Sequence, residues 1–278
     1  MYKDIWKKSY QSVCSVNFIS KSGISLTKLT GFKALGKFLV TDEAIYNVPK
    51  AASVRLDFMH ENGCDKAIEY TIPIKEFKSR TITGMDEGNP HFGLVNIDFH
   101  ELSDIPSLSL SQKTSAPVGS PIAILGYQLD NMNVAIKTGI ISSYVMNGND
   151  KKYIQFDSTI CQGNAGSPLI HAENGEVIGI VGQRLTSLTR SYKRLNKIMN
   201  NNLAILKKSQ GKFSIHEVDP IQVLIANQNQ IKHVVSDIYK TANMRVGYAI
   251  ESRNIYGLLE DFFDAEGLNS VLGRERQF

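Results

Sequence analysis

The stretch CQGNAGSPLI, residues 161–170, reads as a tight turn that delivers the chain into a buried strand. Gly163, Asn164 and Gly166 are residue types that tolerate left-handed or closely packed backbone, and Pro168 opens an apolar run. Ala165 stands at the centre of the turn. The neighbouring runs VAIKTGIISSYV (134–145), YIQF (153–156) and VIGIVG (177–182) have the β-branched, apolar character of strands.

The same cadence extends back to Ser12. Runs such as SVCSVNFI, KFLVT, ASVRLDF, AIEYTIPI, FGLVNIDF and PIAILGY are broken by Gly, Asn, Asp or Pro, at the roughly eight- to twelve-residue spacing of an all-β barrel or sandwich. No regular crossover helix follows these runs, which argues against a parallel α/β sheet. The period then changes. Leu188, Tyr192, Leu195, Met199 and Leu206 recur at helical steps. A second helix is announced by Asp219 as N-cap and Pro220 at its first position, with an apolar stripe of Ile221, Leu224, Ile225, Ile231, Val235 and Ile238. Strand character returns in MRVGYAI, and IYGLLEDFF reads as a short closing helix. The expectation is a mainly β protein with a helical hairpin inserted between its last two strands.

Composition bounds the function. The 278 residues are 42% hydrophobic and 21% charged, ordinary values for a globular chain that can bury a sizeable core. No run of about eighteen apolar residues is present, and the N-terminus lacks the pattern of a secretory signal. The location expected from this is cytoplasmic. Cys14, Cys64 and Cys161 cannot all pair with one another and are read as reduced, mostly buried thiols. His60, His100, His171, His216 and His233 are scattered without zinc-binding spacing, and no glycine-rich phosphate cradle occurs. No metal and no cofactor are expected.

Several segments, taken in order, resemble the chymotrypsin-like serine peptidases, and the trypsin-like peptidases of bacteria in particular. GFKALGKFLVTDEAIYNV resembles the segment that delivers the general-base histidine, HFGLVNIDF the strand that supplies the aspartate, and PVGSPIAILGY with IKTGIISSY the strands that open the second barrel. GNAGSPLI is similar to the nucleophile loop, GEVIGIVG to the strand beside the specificity pocket, and GYAI with its helix to the C-terminal ending. The resemblance implies a chymotrypsin-like double β-barrel with an inserted α-helical hairpin and a C-terminal helix. The divisions expected are an N-terminal barrel over 1–110, a C-terminal barrel and terminal helix over 111–185 plus 243–264, a basic hairpin over 186–242 and a flexible tail over 265–278.

The family's chemistry needs a serine nucleophile, a histidine base and an aspartate that orients it. Carried over position by position, the serine place is held by Ala165, the histidine place by Ala44, three residues after Thr41, and the aspartate place by His91. All three functional groups are absent on this alignment. Ser167 lies two residues past the nucleophile place, where its hydroxyl is expected to point elsewhere. Cys161 would need a nearby base or positive field to act as a thiolate and is read as a wall residue. What the resemblance leaves is backbone: Gly163, Asn164 and Ala165 as an oxyanion hole, and a peptide-binding cleft made by Thr159, Val181, Gly182 and Gln183.

The charge is uneven. Residues 184–242 hold ten basic and three acidic side chains, a net +7, whereas the whole chain is +4. Arg190, Lys193, Arg194, Lys197, Lys207 and Lys208 concentrate it in the first helix. Such a hairpin can dock on an acidic protein, on nucleic acid or on an anionic membrane face, and the topology expects it beside the specificity pocket. A solvated helix face is the plainer reading. Nucleic acid remains possible but unsupported, because no nucleic-acid-binding motif accompanies the charge. Two functional readings stay open: a catalytically inactive pseudoprotease that binds a protein or peptide, and a serine endopeptidase in which alanine has been placed at 165 and at 44.

Overall fold

The computed structural model describes residues 1–82, 92–112, 116–128, 133–147, 151–182, 187–212, 219–241 and 246–265. Two compact units result, one formed by Met1–Gln183 with Arg245–Phe278 and one by Arg184–Met244.

The larger unit begins with a short helix, α1 (Tyr2–Ser9), whose Ile5 is buried. The strands β1 (Val13–Ser20), β2 (Ser25–Ala34), β3 (Phe38–Asp42), β4 (Ala51–Met59), β5 (Lys66–Pro73), β6 (Thr81–Ile82) and β7 (Phe92–Asn96) follow, with helix α2 (Ile74–Ser79) between β5 and β6. They form one antiparallel sheet in the order β5-β4-β1-β2-β3-β7-β6. Its outermost strands, β5 and β6, are joined through α2. β1 is flanked by β2 and β4, which accounts for the burial of Val13 through Phe18.

The strands β8 (Pro121–Tyr127), β9 (Val134–Asn147), β10 (Lys151–Asp157), β11 (Pro168–His171), β12 (Val177–Val181) and β13 (Gly247–Glu251) close into a barrel. The family's mainly β, double-barrel architecture is thus present. One apolar cluster joins the two halves, with Phe32 and Leu94 from the first, Leu125 and Ile180 from the second, and Ile255 and Leu258 from the last helix, α5 (Asn254–Ala265).

The smaller unit is a helical hairpin, α3 (Ser187–Ser209) and α4 (Pro220–Thr241), lying in sequence between β12 and β13. Asp219 caps α4: one carboxylate oxygen accepts from the Ile221 amide at 2.8 Å and the other from Gly211 at 2.8 Å. The inward face of α3 buries Met199 and Leu203. The single apolar stripe expected on α4 needs correction. Ile221, Ile225 and Val235 are half-buried, while Leu224, Ile231 and Ile238 are exposed together with Val223 and Val234. At 3.6 residues per turn the centres of the two sets lie about 110° apart, so one faces inward and the other faces solvent. Among the described residues, no helix is long and apolar enough to cross a membrane.

Candidate functional site

The loop 161–167 is built by hydrogen bonds that leave little freedom. Thr30 on β2 grips it twice: its amide donates to the Ala165 carbonyl at 2.9 Å and its hydroxyl to the Gly163 carbonyl at 2.7 Å. The same hydroxyl oxygen accepts from the Tyr127 amide at 2.9 Å. Thr41, at the end of β3, donates its hydroxyl to the Thr30 carbonyl at 2.7 Å. Both threonines are fully buried.

Gly166 sits inside this seam with φ +86°, and a Cβ there would lie 2.1 Å from the Thr30 carbonyl oxygen and 2.7 Å from the Asp42 amide. No side chain fits. Its amide donates to Val181 at 2.7 Å, and the Val181 amide returns a bond to Ser167 at 2.9 Å.

Beneath the turn, Asn164 is wholly buried and bonded through both its amide oxygen and its amide nitrogen. Its Oδ1 accepts from Lys137 Nζ at 2.7 Å and from the Cys161 amide at 2.9 Å, while its Nδ2 donates to the Tyr127 carbonyl at 2.8 Å. Lys137 Nζ also donates to the Thr159 carbonyl at 3.0 Å and meets Cys161 Sγ at 3.4 Å. A charged donor to a buried amide oxygen is stronger than a neutral one. Lys137 was not singled out from the sequence. Its only signal there is a charge within the apolar run VAIKTGII.

The two described positions expected to match the nucleophile and the base carry only methyl groups. Ala165 is 8% exposed and belongs to the apolar cluster of the first sheet, with Ile45, Leu39 and Val95. Ala44 packs against the same cluster. Ala44 lies in a short 3-10 turn, Glu43–Asn47, whose cap is the buried Asp42, accepting from the Ala44 amide at 2.9 Å. In that turn, burial and the Glu43 carboxylate push the Tyr46 phenol up to about 12. β7 begins at Phe92, opposite Asp42; His91 lies outside the described residues.

Gly163 and Ala165 keep their places in the turn, Gly163 at φ +99°. Among the described residues, neither of their amides donates a hydrogen bond, whereas the Asn164 amide, the third expected there, donates to the Cys161 carbonyl at 3.1 Å. At the expected cleft, the amide and carbonyl of Val181 are bonded to Ser167 and Gly166, and the Gly182 amide donates to the Tyr248 carbonyl at 3.1 Å. Thr159 is half-buried with its carbonyl on Lys137, and Gln183 lies outside the described residues.

Ser167 is fully buried and its Oγ points at β8, where a Cβ on Gly126 would lie 2.1 Å away. The cysteines differ from expectation, for only Cys14 is buried, Cys161 being half-buried and Cys64 exposed. Among the described residues, no group of three or more His, Cys, Asp or Glu side chains could hold a metal. On α3, Arg194, Lys197, Lys207 and Lys208 are exposed, whereas the side chains of Arg190 and Lys193 fall outside the described set.

A family model for the trypsin-like peptidase domain matches residues 48–180. The human serine protease HTRA4 is 31% identical over 100 residues, covering 34% of this chain and 21% of its own length, so the match spans about a fifth of that relative. The active form of the Rv3671c protease from M. tuberculosis aligns over 94% of this chain and 85% of its own, at 12% identity and a TM-score of 0.54. Its inactive form aligns over 94% and 93%, at 14% identity and a TM-score of 0.53. At such identities the structural likeness speaks for the fold.

Proposed function

From a chain with the chymotrypsin-like fold and trypsin-like peptidase domain of the bacterial-type serine peptidases, we propose a catalytically silent protein that binds a protein or peptide through its former cleft and its basic hairpin. The observation that carries this reading is the shared apolar cluster under Ala44 and Ala165. A hydroxyl nucleophile and its base must meet by hydrogen bond. Two methyl groups on one apolar cluster cannot move a proton.

The hairpin supports a binding role. α4 exposes Val223, Leu224, Ile231, Val234 and Ile238, and α3 exposes Leu195, Ile198 and Ile205 near Arg194, Lys197 and Lys208. Exposed apolar stripes of this kind mark interaction surfaces, and the basic flank selects an acidic partner. The test uses fluorescent acidic peptides with apolar residues at helical spacing, measured by polarisation. Binding that weakens at least tenfold in R194E/K197E/K208E, with casein left uncleaved, is the expected result. Equal affinity in the charge-reversed protein would remove the hairpin from the account.

A second reading is favoured by the intact loop. The Gly163 and Ala165 amides remain without acceptors among the described residues, the arrangement a working peptidase needs. This reading takes the chain as an endopeptidase with alanine in place of its nucleophile and base. It predicts that A165S/A44H cleaves casein. Absence of cleavage by the folded double variant eliminates it.

A further inference from the structure

The two exposed stripes of the helical hairpin lie on one broad surface. On α3 the inward face centres on Met199 and Leu203, and the exposed Leu195, Ile198 and Ile205 lie about 110° to one side of it. The outward stripe of α4 stands about 110° from its inward set in the same rotational sense. Antiparallel helices are related by a two-fold axis normal to the hairpin, and that axis carries equal rotations to the same side. Bonds from the Gly211 amide to Asp219 at 2.8 Å and from Lys232 Nζ to Asn200 Oδ1 at 2.6 Å set the register. Leu195 is thereby level with Ile238, and Ile198 with Val234. Packed helix axes stand about 8–10 Å apart, so the stripes border a shallow groove that one further helix can straddle.

Three features select what lies in that groove. The first is charge. At about 100° per residue, Arg194, Lys197 and Lys208 fall on the edge of α3 turned away from α4, whereas the far edge of α4 carries Gln230 and Asp237. Acidic groups are therefore favoured along one edge only. The second is a pair of amides, for Asn202 and Asn227 are exposed within the stripes of α3 and α4. An amide covered without a partner is costly, and lipid tails supply none, whereas a facing helix can hydrogen-bond it and so fix its own register. The third is net charge, since a second copy would set one +7 hairpin against another.

We propose that this face seats a single amphipathic helix of a partner protein, laid along the groove between α3 and α4. Its acidic residues lie on the flank facing Arg194, Lys197 and Lys208, and a hydrogen-bonding residue in its apolar seam meets Asn202 or Asn227. The inference rests on the binding role proposed above for the hairpin and adds the form of the partner, which is the helix-in-groove mode of recognition.

The test compares two fluorescent peptides of identical composition by polarisation with the whole chain. One places its leucines on one helical face around a central asparagine, with its glutamates along one flank; the other has the same residues scrambled. The first is expected to bind at least tenfold more tightly and to gain helix on binding, read from circular dichroism difference spectra. I198S/I231S alters one exposed position on each helix, and is expected to keep its thermal melt and to weaken the first peptide at least tenfold. Equal binding of the scrambled peptide overturns the helical partner while leaving a binding hairpin in place; binding of neither peptide removes both readings. A dimer in sedimentation equilibrium that I198S/I231S dissociates assigns the face to a second copy. Co-sedimentation with phosphatidylglycerol vesicles that the first peptide does not relieve assigns it to a membrane. Either result overturns the proposal.

Discussion

Lys137 donates to Asn164 Oδ1 at 2.7 Å, linking a strand of the closed barrel to the floor of the loop that carries Ala165. The ammonium also holds the Thr159 carbonyl, so one side chain ties both approaches to the turn. Replacing it with methionine keeps the length and removes the donors. K137M is expected to lose about 1–3 kcal/mol of stability, read from the midpoint of urea denaturation. K137R, which keeps a charged donor, is expected to lose less.

Gly166 tolerates no side chain. A side chain there combines a left-handed φ of +86° with a contact of 2.1 Å to the Thr30 carbonyl. G166A is expected to lose about 3 kcal/mol or more, from strain and the displaced seam together. Circular dichroism melts compared with G211A measure the difference. Gly211 also has positive φ, but a Cβ there meets nothing within 4 Å, so G211A is expected to pay for backbone strain alone.

The thiols and phenols predict an alkaline limit. Burial pushes the Cys14 thiol well above its ordinary 9.0, with Asp57 adding to the effect. Burial and Glu43 raise Tyr46 from 10.0 to about 12, and burial raises Tyr127 as well. Each is an acid whose folded value exceeds its unfolded one. Its contribution is complete below the unfolded value and falls as pH climbs above it. Lys33, lowered by burial although Asp98 and Asp104 oppose the shift, works the other way below 10.5. Tyr70, raised by burial, and Lys66, raised by its bond to Glu69, act with the first three, and five groups against one give a net loss from pH 9 upward, measurable as a falling urea midpoint. In the folded protein at pH 8, iodoacetamide is expected to label Cys64 first, Cys161 more slowly and Cys14 only on unfolding.

The exposed stripe on α4 carries little folding energy. Val234 and Ile238 are 57% and 59% exposed, so V234S/I238S is expected to change stability by less than about 0.5 kcal/mol per site. The same variant is expected to weaken binding of the acidic peptides. A thermal melt and a polarisation titration separate the two effects.

Much of this architecture was legible in the order of strand-like runs. SVCSVNFI became β1, PIAILGY β8 and VIGIV β12, because their apolar residues are buried. β2 was less visible. Its sequence SLTKLTGFKA interleaves two lysines and two threonines with apolar residues, and burial of Thr30 and Lys33 depends on partners far along the chain. Lys33, for instance, is held by the carbonyls of Leu102 and Ile105. The helix α1 was hidden by its shortness, since eight residues show few turns of a period. At the candidate site, the turn residues 163–166 announce themselves by type. Thr30, Thr41 and Lys137 do not, because nothing local marks which polar residue will meet a loop more than twenty residues away. The division of α4 into an inward and an outward face was readable in principle from angles of 100° per residue, but its six apolar positions blur into one broad stripe.

The central claim is that the turn around Ala165 is organised without a nucleophile. The most direct measurement is intact-protein mass spectrometry after incubation of the unaltered chain with a fluorophosphonate. The account predicts an unchanged mass, with Ser167 buried against Gly126 and no reactive hydroxyl at the loop. A stoichiometric phosphonyl adduct on any serine of the folded protein would contradict it.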